Sequence, residues 1–272
     1  NFSDKLIKVK IVDIINKQSV SDVPISISLS GGVDSNIILA SMNKKLNSYT
    51  ISYSYNKKKS IDSICAAQRA REYKTNHSEI VVTDDDFLSS LELVSDLIEE
   101  PIGNENLISN YFLSKRVKEK VLLVGDGGDE IFTGYEKYRS IFFVSLINKI
   151  NFLKYFRFNF QNKNLKRLFL HNSKQMHLSF SNQNILNMQN LLNNYREISY
   201  EKVSFNHFNN EYLGNNLENV MFADIDTWVQ NDVLLRNDKI YMDRGIEVRV
   251  PFLDQEMIEN FLFYSSFKKI NF

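Results

Sequence analysis

Ser30-Gly31-Gly32-Val33-Asp34-Ser35 is the stretch whose residue types and spacing most plainly suit chemistry. Two adjacent glycines let the backbone turn sharply and aim successive N–H groups at one point. The positive end of a following helix would turn that point into an anion cradle of phosphate size. Hydroxyls from Ser30 and Ser35 add donors, and Asp34 can hold a magnesium ion against phosphate oxygens. A plain strand-to-helix turn would need only the Gly-Gly pair and leaves the carboxylate and the two hydroxyls unexplained. The G-x-x-x-x-G-K spacing of a Walker loop is absent.

A second stretch, Gly125-Asp126-Gly127-Gly128-Asp129-Glu130-Ile131-Phe132-Thr133-Gly134-Tyr135, follows directly on the apolar run Val121–Val124. Its glycines keep the backbone open for a nucleotide, and Asp126, Asp129 and Glu130 offer oxygen ligands or a base. The alternative is a solvated acidic turn. In an open parallel sheet, ligands bind outside the carboxyl ends of the strands, so two motifs at such ends can meet over one site. A third block, Leu234-Leu235-Arg236-Asn237-Asp238 followed by Glu247-Val248-Arg249-Val250-Pro251-Phe252-Leu253-Asp254, lies far along the chain. Glu247 and Arg249 read as a structural ion pair pinning the second half to the sheet, and Pro251 would end the segment there.

The elements that must position these residues follow from hydrophobic period. Residues 6–15 recur at helical spacing, whereas Ile25, Ile27 and Leu29 alternate with serines in a strand pattern. Helices are expected from about Asp34 to Asn43, at Ile61–Glu72, within Asp85–Ile98 and within Asn106–Lys118, with strands at Tyr49–Tyr53, Ser78–Val82 and Val121–Val124. Strands alternating with helices of this length predict an α/β fold, a parallel sheet with helices on both faces, followed by a mainly helical C-terminal half. The division expected along the chain is a nucleotide-binding region over residues 1–140 and a helical region over 141–272. Residues 139–196 hold no Asp or Glu and interleave Lys and Arg with Phe and Tyr. Amphipathic helices account for this pattern better than a nucleic-acid surface, because no nucleic-acid motif accompanies it.

Composition sets the outer bounds. Of the 272 residues 43% are hydrophobic and 24% charged, and 33 basic residues balance 33 acidic ones, unlike a protein that coats nucleic acid. The single cysteine, Cys65, excludes an internal disulfide or a multi-cysteine zinc site. The four histidines, His77, His171, His177 and His207, have no metal spacing. No apolar stretch nears the roughly 18–20 residues of a membrane helix and no secretion signal core opens the sequence, so a cytoplasmic protein is expected, with no membrane and no nucleic-acid partner.

The loop Ser30–Ser35 resembles the pyrophosphatase loop of enzymes that split ATP between its α and β phosphates. The Gly125–Tyr135 stretch narrows the resemblance to the asparagine synthetase family, and Leu234–Asp238 with Glu247–Asp254 resembles that family's later signature. The resemblance covers nearly the whole chain, most weakly over Arg139–Glu211. It implies an adenine nucleotide α-hydrolase-like fold and, as cofactors, ATP and magnesium. Ser30, Gly31, Gly32, Asp34 and Ser35 would bind the ATP phosphates, and Asp34 and Asp129 would be the magnesium ligands. Leu29, Ile51 and Gly125 would line the adenine and ribose pocket through their backbones. Asp126 stands where the family usually has Glu, the residue assigned to intermediate chemistry and ammonia handling, and is one methylene shorter.

Three departures from the family pattern accompany these matches. Residue 1 is Asn, not the cysteine that starts the amide-hydrolysing half, and Cys65 falls inside a predicted helix. The family's catalytic lysine lies beyond the Pro-Phe-Leu-Asp block, and Lys268 and Lys269 come too early to serve. The arginine expected to bind aspartate in the Pro101–Ser109 region is replaced by Asn104, Glu105 and Asn106. The reading is therefore the synthetase domain of an asparagine synthetase-like amidotransferase. It would activate a small-molecule carboxylate as an acyl-adenylate and take ammonia from a glutaminase domain or partner not present in this chain. The acceptor and the oligomeric state stay open. The alternatives are an internal amide closure of the β-lactam synthetase or peptide cyclase kind, and a non-catalytic partner subunit.

Overall fold

The computed structural model describes residues 4–42, 45–53, 60–99, 104, 106–148, 216–262 and 264. The basic aromatic stretch past residue 148, His171, His177, His207, Glu105, Lys268 and Lys269 lie outside the described residues. The chain forms two compact units, Asn1–Gly128 with Gln230–Glu259, and Asp129–Val229 with Asn260–Phe272.

In the first unit the elements run α1 (Asp4–Gln18), β1 (Ile25–Ser28), α2 (Val33–Ser41), β2 (Asn47–Tyr53), α3 (Ile61–Glu72), β3 (Asn76–Val82), α4 (Asp84–Ile98), α5 (Asn106–Ser114) and β4 (Val121–Leu123). The later chain returns to this unit with α9 (Leu235–Met242), β5 (Glu247–Arg249), a 3-10 turn at Pro251–Leu253, and most of α10 (Gln255–Phe261). The five strands are all parallel in the order β3-β2-β1-β4-β5. Strand β1 is central, with Ile27 opposite Ser48 of β2 and Leu123 of β4. The strand order reverses between β1 and β4, the switch point where such sheets open a crevice at their carboxyl ends.

Both faces of the sheet are covered, as the alternation of strands and helices predicts. Tyr49, Ile80, Leu122 and Val124 pack with Leu113 of α5 and Tyr241 of α9. Val82 packs with Val94 and Ile98 of α4, Ile108 of α5 and Ile240 of α9. Burying each large aliphatic side chain of this kind contributes about 1.5–3 kcal/mol. Because β1 at the centre of the sheet is buried on both faces, its alternating serines are not a solvent edge: Ser26 is fully buried and its hydroxyl donates to the Val121 carbonyl at 3.2 Å. Cys65 lies half-buried inside α3.

Strand β5 is not among the strands expected from the sequence, although Ile246, Val248 and Val250 alternate with Glu247 and Arg249 and pack on the apolar cluster. The Glu247–Arg249 ion pair forms at 2.7 Å, but it joins two residues of the same strand. What Arg249 tethers is the end of α1, by donating Nη1 to the carbonyls of Gln18 at 2.9 Å and Val20 at 2.6 Å. Pro251 opens the 3-10 turn directly after the strand, where its missing N–H costs nothing.

In the second unit, α7 (Glu136–Asn148) packs against α8 (Asn216–Asp224), and a π-helical stretch, Ile225–Leu234, leads into α9. Among the described residues no helix is long and apolar enough to cross a membrane.

Candidate active site

The Ser30–Ser35 loop leaves the carboxyl end of β1 and is held by its own serines. The Ser30 N–H donates to Ser35 Oγ at 3.0 Å, the two hydroxyl oxygens lie 3.1 Å apart, and the Gly32 N–H donates to Ser30 Oγ at 3.1 Å. Ser35 is buried while Ser30 and Gly32 are exposed, so the latch is anchored from below and open above. The helix that follows differs from its neighbours at its start. Ser60 caps α3 by accepting from the Ser63 N–H, and Thr83 and Asp86 form a capping box on α4. Gly32 at the start of α2 makes no side-chain cap. The start of α2 thus carries no capping side chain, and its first turn holds the acidic Asp34.

The second motif meets the first within this unit. A Cβ on Gly128 would fall 2.5 Å from Asp34 Oδ1, and one on Gly125 would fall 2.9 Å from the Ser35 backbone nitrogen. Glycines are thus required where the backbone after β4 passes directly against the Asp34 carboxylate and the start of α2. This is a cradle any side chain would fill, and a partly exposed carboxylate at the start of a helix without a capping side chain suits a magnesium-bound polyphosphate. Leu29 follows β1 with its N–H donating to the Tyr49 carbonyl at 2.8 Å, and its own carbonyl accepts from the Thr50 hydroxyl. Ile51 lies in the neighbouring strand β2 with its side chain packed into the apolar clusters.

Asp126 is the best-framed carboxylate of the motif. Its Oδ2 accepts from Asn237 Nδ2 at 2.8 Å, and Asn237 Oδ1 accepts from Asn110 Nδ2 at 2.9 Å. Burial pushes the Asp126 carboxyl above its usual range, against the Asn237 hydrogen bond and the nearby Arg236 charge. Arg236 is itself buried and pairs with Asp232 at 3.0 Å, and Asp232 also accepts from Asn104 at 3.2 Å. Asn237, Asn110 and Arg236 were given no role by sequence reasoning. Asn237 and Arg236 stand inside the quoted third block, but nothing local links them to Asp126, which lies 111 residues from Asn237.

The rest of the motif belongs to the second unit. Asp129 sits in the first turn of α6 (Gly128–Phe132), half-buried, and burial raises its carboxyl. Gly134 closes back on it, and a Cβ there would overlap Asp129 Oδ1. Glu130 is buried, accepts from the Tyr135 hydroxyl at 3.1 Å, and is pushed up to about 7 chiefly by burial. Nearby, Asp224 accepts from the Tyr138 hydroxyl at 2.7 Å and pairs with Lys137 at 2.8 Å. The two carboxylates expected to bind magnesium therefore fall in different units, Asp34 in the first and Asp129 in the second. Among the described residues no three His, Cys, Asp or Glu side chains gather into a metal cluster.

A depression of about 510 Å³ lined by Lys45, Asn47, Arg71, Lys74 and Asn76 opens at the amino ends of β2 and β3. That is the edge opposite the motifs, and no expected site residue lines it.

Comparison with known proteins agrees with this geometry. The family model for asparagine synthase matches residues 7–269. A glutamine-hydrolysing asparagine synthetase 1 of Bacillus subtilis is 25% identical over 286 residues, which cover 94% of this chain and 43% of that protein. A putative glutamine-hydrolysing asparagine synthetase of Mycobacterium bovis is 26% identical over 272 residues, covering 90% and 40%. A glutamine-hydrolysing asparagine synthetase of Zea mays is 28% identical over 152 residues, covering 51% and 25%. The chain thus spans less than half the length of these relatives.

Proposed function

The chain belongs to the asparagine synthase family, and from that membership we propose that it is the synthetase part of an ATP-dependent carbon–nitrogen ligase. The observation that carries the reading is the meeting of the two motifs: the Gly125 and Gly128 backbone lies against Asp34 and the uncapped start of α2, at the β1/β4 switch point. In the reaction, a substrate carboxylate oxygen attacks the α phosphorus of ATP, the bond to the β phosphate oxygen breaks, and pyrophosphate leaves. An amine then attacks the acyl carbon, AMP departs, and the amine loses a proton.

The residues of the chain divide this work. Ser30, Gly31, Gly32 and Ser35, with the first-turn N–H groups of α2, hold the departing pyrophosphate end, donors that act without reorganising as charge develops. Leu29, Ile51 and Gly125 take the adenosine side. Magnesium, held by Asp34 and Asp129, would neutralise the pyrophosphate charge. Asp126 orients the amine and accepts its proton. The amine is ammonia, supplied by a glutaminase domain or partner. A second reading, closure of an internal amide, is favoured by Asn104, Glu105 and Asn106 standing where the family's aspartate-binding arginine is expected, since they offer no cation for a second carboxylate.

The test is calorimetric titration of the chain with magnesium and ATP. Asp34→Asn and Asp129→Asn should each weaken binding at least about tenfold, since each removes a charged ligand. Their thermal transitions should not fall below that of the unaltered chain, because neither carboxylate belongs to an apolar cluster and Asp129→Asn removes a charge that burial disfavours. Unaltered affinity in both variants would remove the metal assignment, and no binding by the unaltered chain would remove the reading.

A further inference from the structure

We propose that Asn237, oriented in turn by Asn110, is the positioning residue that aims the Asp126 carboxylate at the incoming amine. The inference deepens the ligase reading above and rests on it. Asp126 follows β4 in a turn rich in glycine, and such a backbone does not by itself fix a side chain. The fixing comes from α9 and α5. Asn237 is only 3% exposed, and its amide bridges Asp126 Oδ2 at 2.8 Å and Asn110 Nδ2 at 2.9 Å. An asparagine amide has two orientations, related by a half-turn, that exchange its donor and its acceptor. Turned the other way, Asn237 would set its oxygen against the Asp126 carboxylate and its NH₂ against the NH₂ of Asn110. Both contacts would be repulsive, so the acceptor-only carboxylate and the Asn110 donor together select the orientation in which Asn237 donates to Asp126. The result is a directional chain of donors that ends on one carboxylate oxygen.

Among the described residues Asn237 supplies the side-chain hydrogen bond that Asp126 receives, and it reaches Oδ2. One oxygen is thereby fixed by a neutral donor, and the carboxylate stays basic enough to take a proton from an amine at its other oxygen. A direct ion pair would have lowered that basicity further. Arg236 instead turns Nη1 to Asp232, bearing on Asp126 through its field alone. Tyr241, also on α9, is a further titratable group that bears on this carboxylate among the described residues. Asn110 lies in α5, beside the segment from Asn104 where the acceptor is expected. The same helix therefore touches the acceptor segment and sets the orientation of Asp126.

The experiment has two arms. In the first, the chain carrying labelled aspartate is titrated by carbon NMR, following the Asp126 carboxyl carbon with no ligand present. Asn237→Leu should raise its midpoint by about one pH unit and Asn110→Leu by less, through loss of a donor to the charged form. The double variant should match Asn237→Leu alone, the non-additivity of residues acting in series. In the second arm, the full-length protein is assayed with ATP, magnesium, ammonium chloride and a panel of amino acids that includes L-aspartate. Asn237→Leu should keep carboxylate-dependent ATP–pyrophosphate exchange within about threefold, while amide formation from ammonium falls about 100-fold.

An unchanged midpoint in a folded Asn237→Leu variant would overturn the proposal, as would additive midpoints or an equal loss of both half-reactions. No exchange by the unaltered protein with any amino acid would overturn the ligase reading, and the positioning role with it. The NMR arm, which needs no substrate, tells that failure from a failure of the hydrogen-bond relay.

Discussion

At the scale of single residues, the carboxylates of the Gly125–Tyr135 motif differ because their surroundings differ. Asp126 has a neutral donor, Asp129 has burial alone, and Glu130 has deep burial with one tyrosine hydroxyl. Glu130 makes the sharpest prediction. Its pKa of about 7 stands above the ordinary 4.5, so the folded protein holds this proton more tightly than the unfolded chain does. The stability contributed by that proton is complete below about pH 4.5 and is lost as pH rises through about 7. Glu130→Gln should therefore gain on the unaltered protein across that window, by up to about 3 kcal/mol. Denaturant melts in EDTA without nucleotide measure it, and a stability difference flat between pH 4.5 and 7.5 would show that Glu130 ionises in the fold as it does in water. The motif announced these acids, but not which would be neutral. Their protonation depends on burial and on Tyr135 and Asn237, contacts the local pattern does not encode.

At the scale of elements, legibility followed length and period. Helix α3 occupies Ile61–Glu72, the span its spacing predicts, and the first four strands lie where apolar runs stand between turn signals. Strand β5 is short, and its one local signal is the alternation of Ile246, Val248 and Val250 with Glu247 and Arg249. Pairing with β4 sets its register, Glu247 opposite Val121 and Arg249 opposite Leu123. The Glu247–Asp254 block is also where α1 is tied down: Arg249 holds the Gln18 and Val20 carbonyls, and Asp254 accepts from the Gln18 amide. The Lys17–Glu256 pair nearby is half-exposed and contributes little. Arg249→Met keeps the stem and removes the donors, so it should cost about 1–3 kcal/mol in denaturant unfolding. Hydrogen exchange should quicken at the end of α1, around Ser19 and Val20. An Arg249→Met protein with unchanged stability and exchange would show that α1 is held by its apolar face alone.

At the scale of the whole molecule, parallel strands joined through helices fix where chemistry can happen. With β1 at the centre and the order reversing toward β4, the two glycine motifs emerge on adjacent strands at the same edge. That convergence could be read from the sequence, because each motif follows a recognisable strand. The division of the chain after Gly128, inside the second motif, could not, because it depends on which later helices return to the sheet. On the proposed ligase reading, this edge stabilises a pyrophosphate leaving group. The loop carries hydroxyl donors at Ser30 and Ser35, but it lacks the lysine that Walker loops place at the β and γ phosphates. The most direct measurement is to supply the full-length protein with ATP labelled at the α phosphate, magnesium, ammonium chloride and a panel of amino-acid carboxylates, and to resolve the labelled nucleotides. Carboxylate-dependent AMP, formed with an equal amount of pyrophosphate, is the predicted result, and ADP with inorganic phosphate would contradict it.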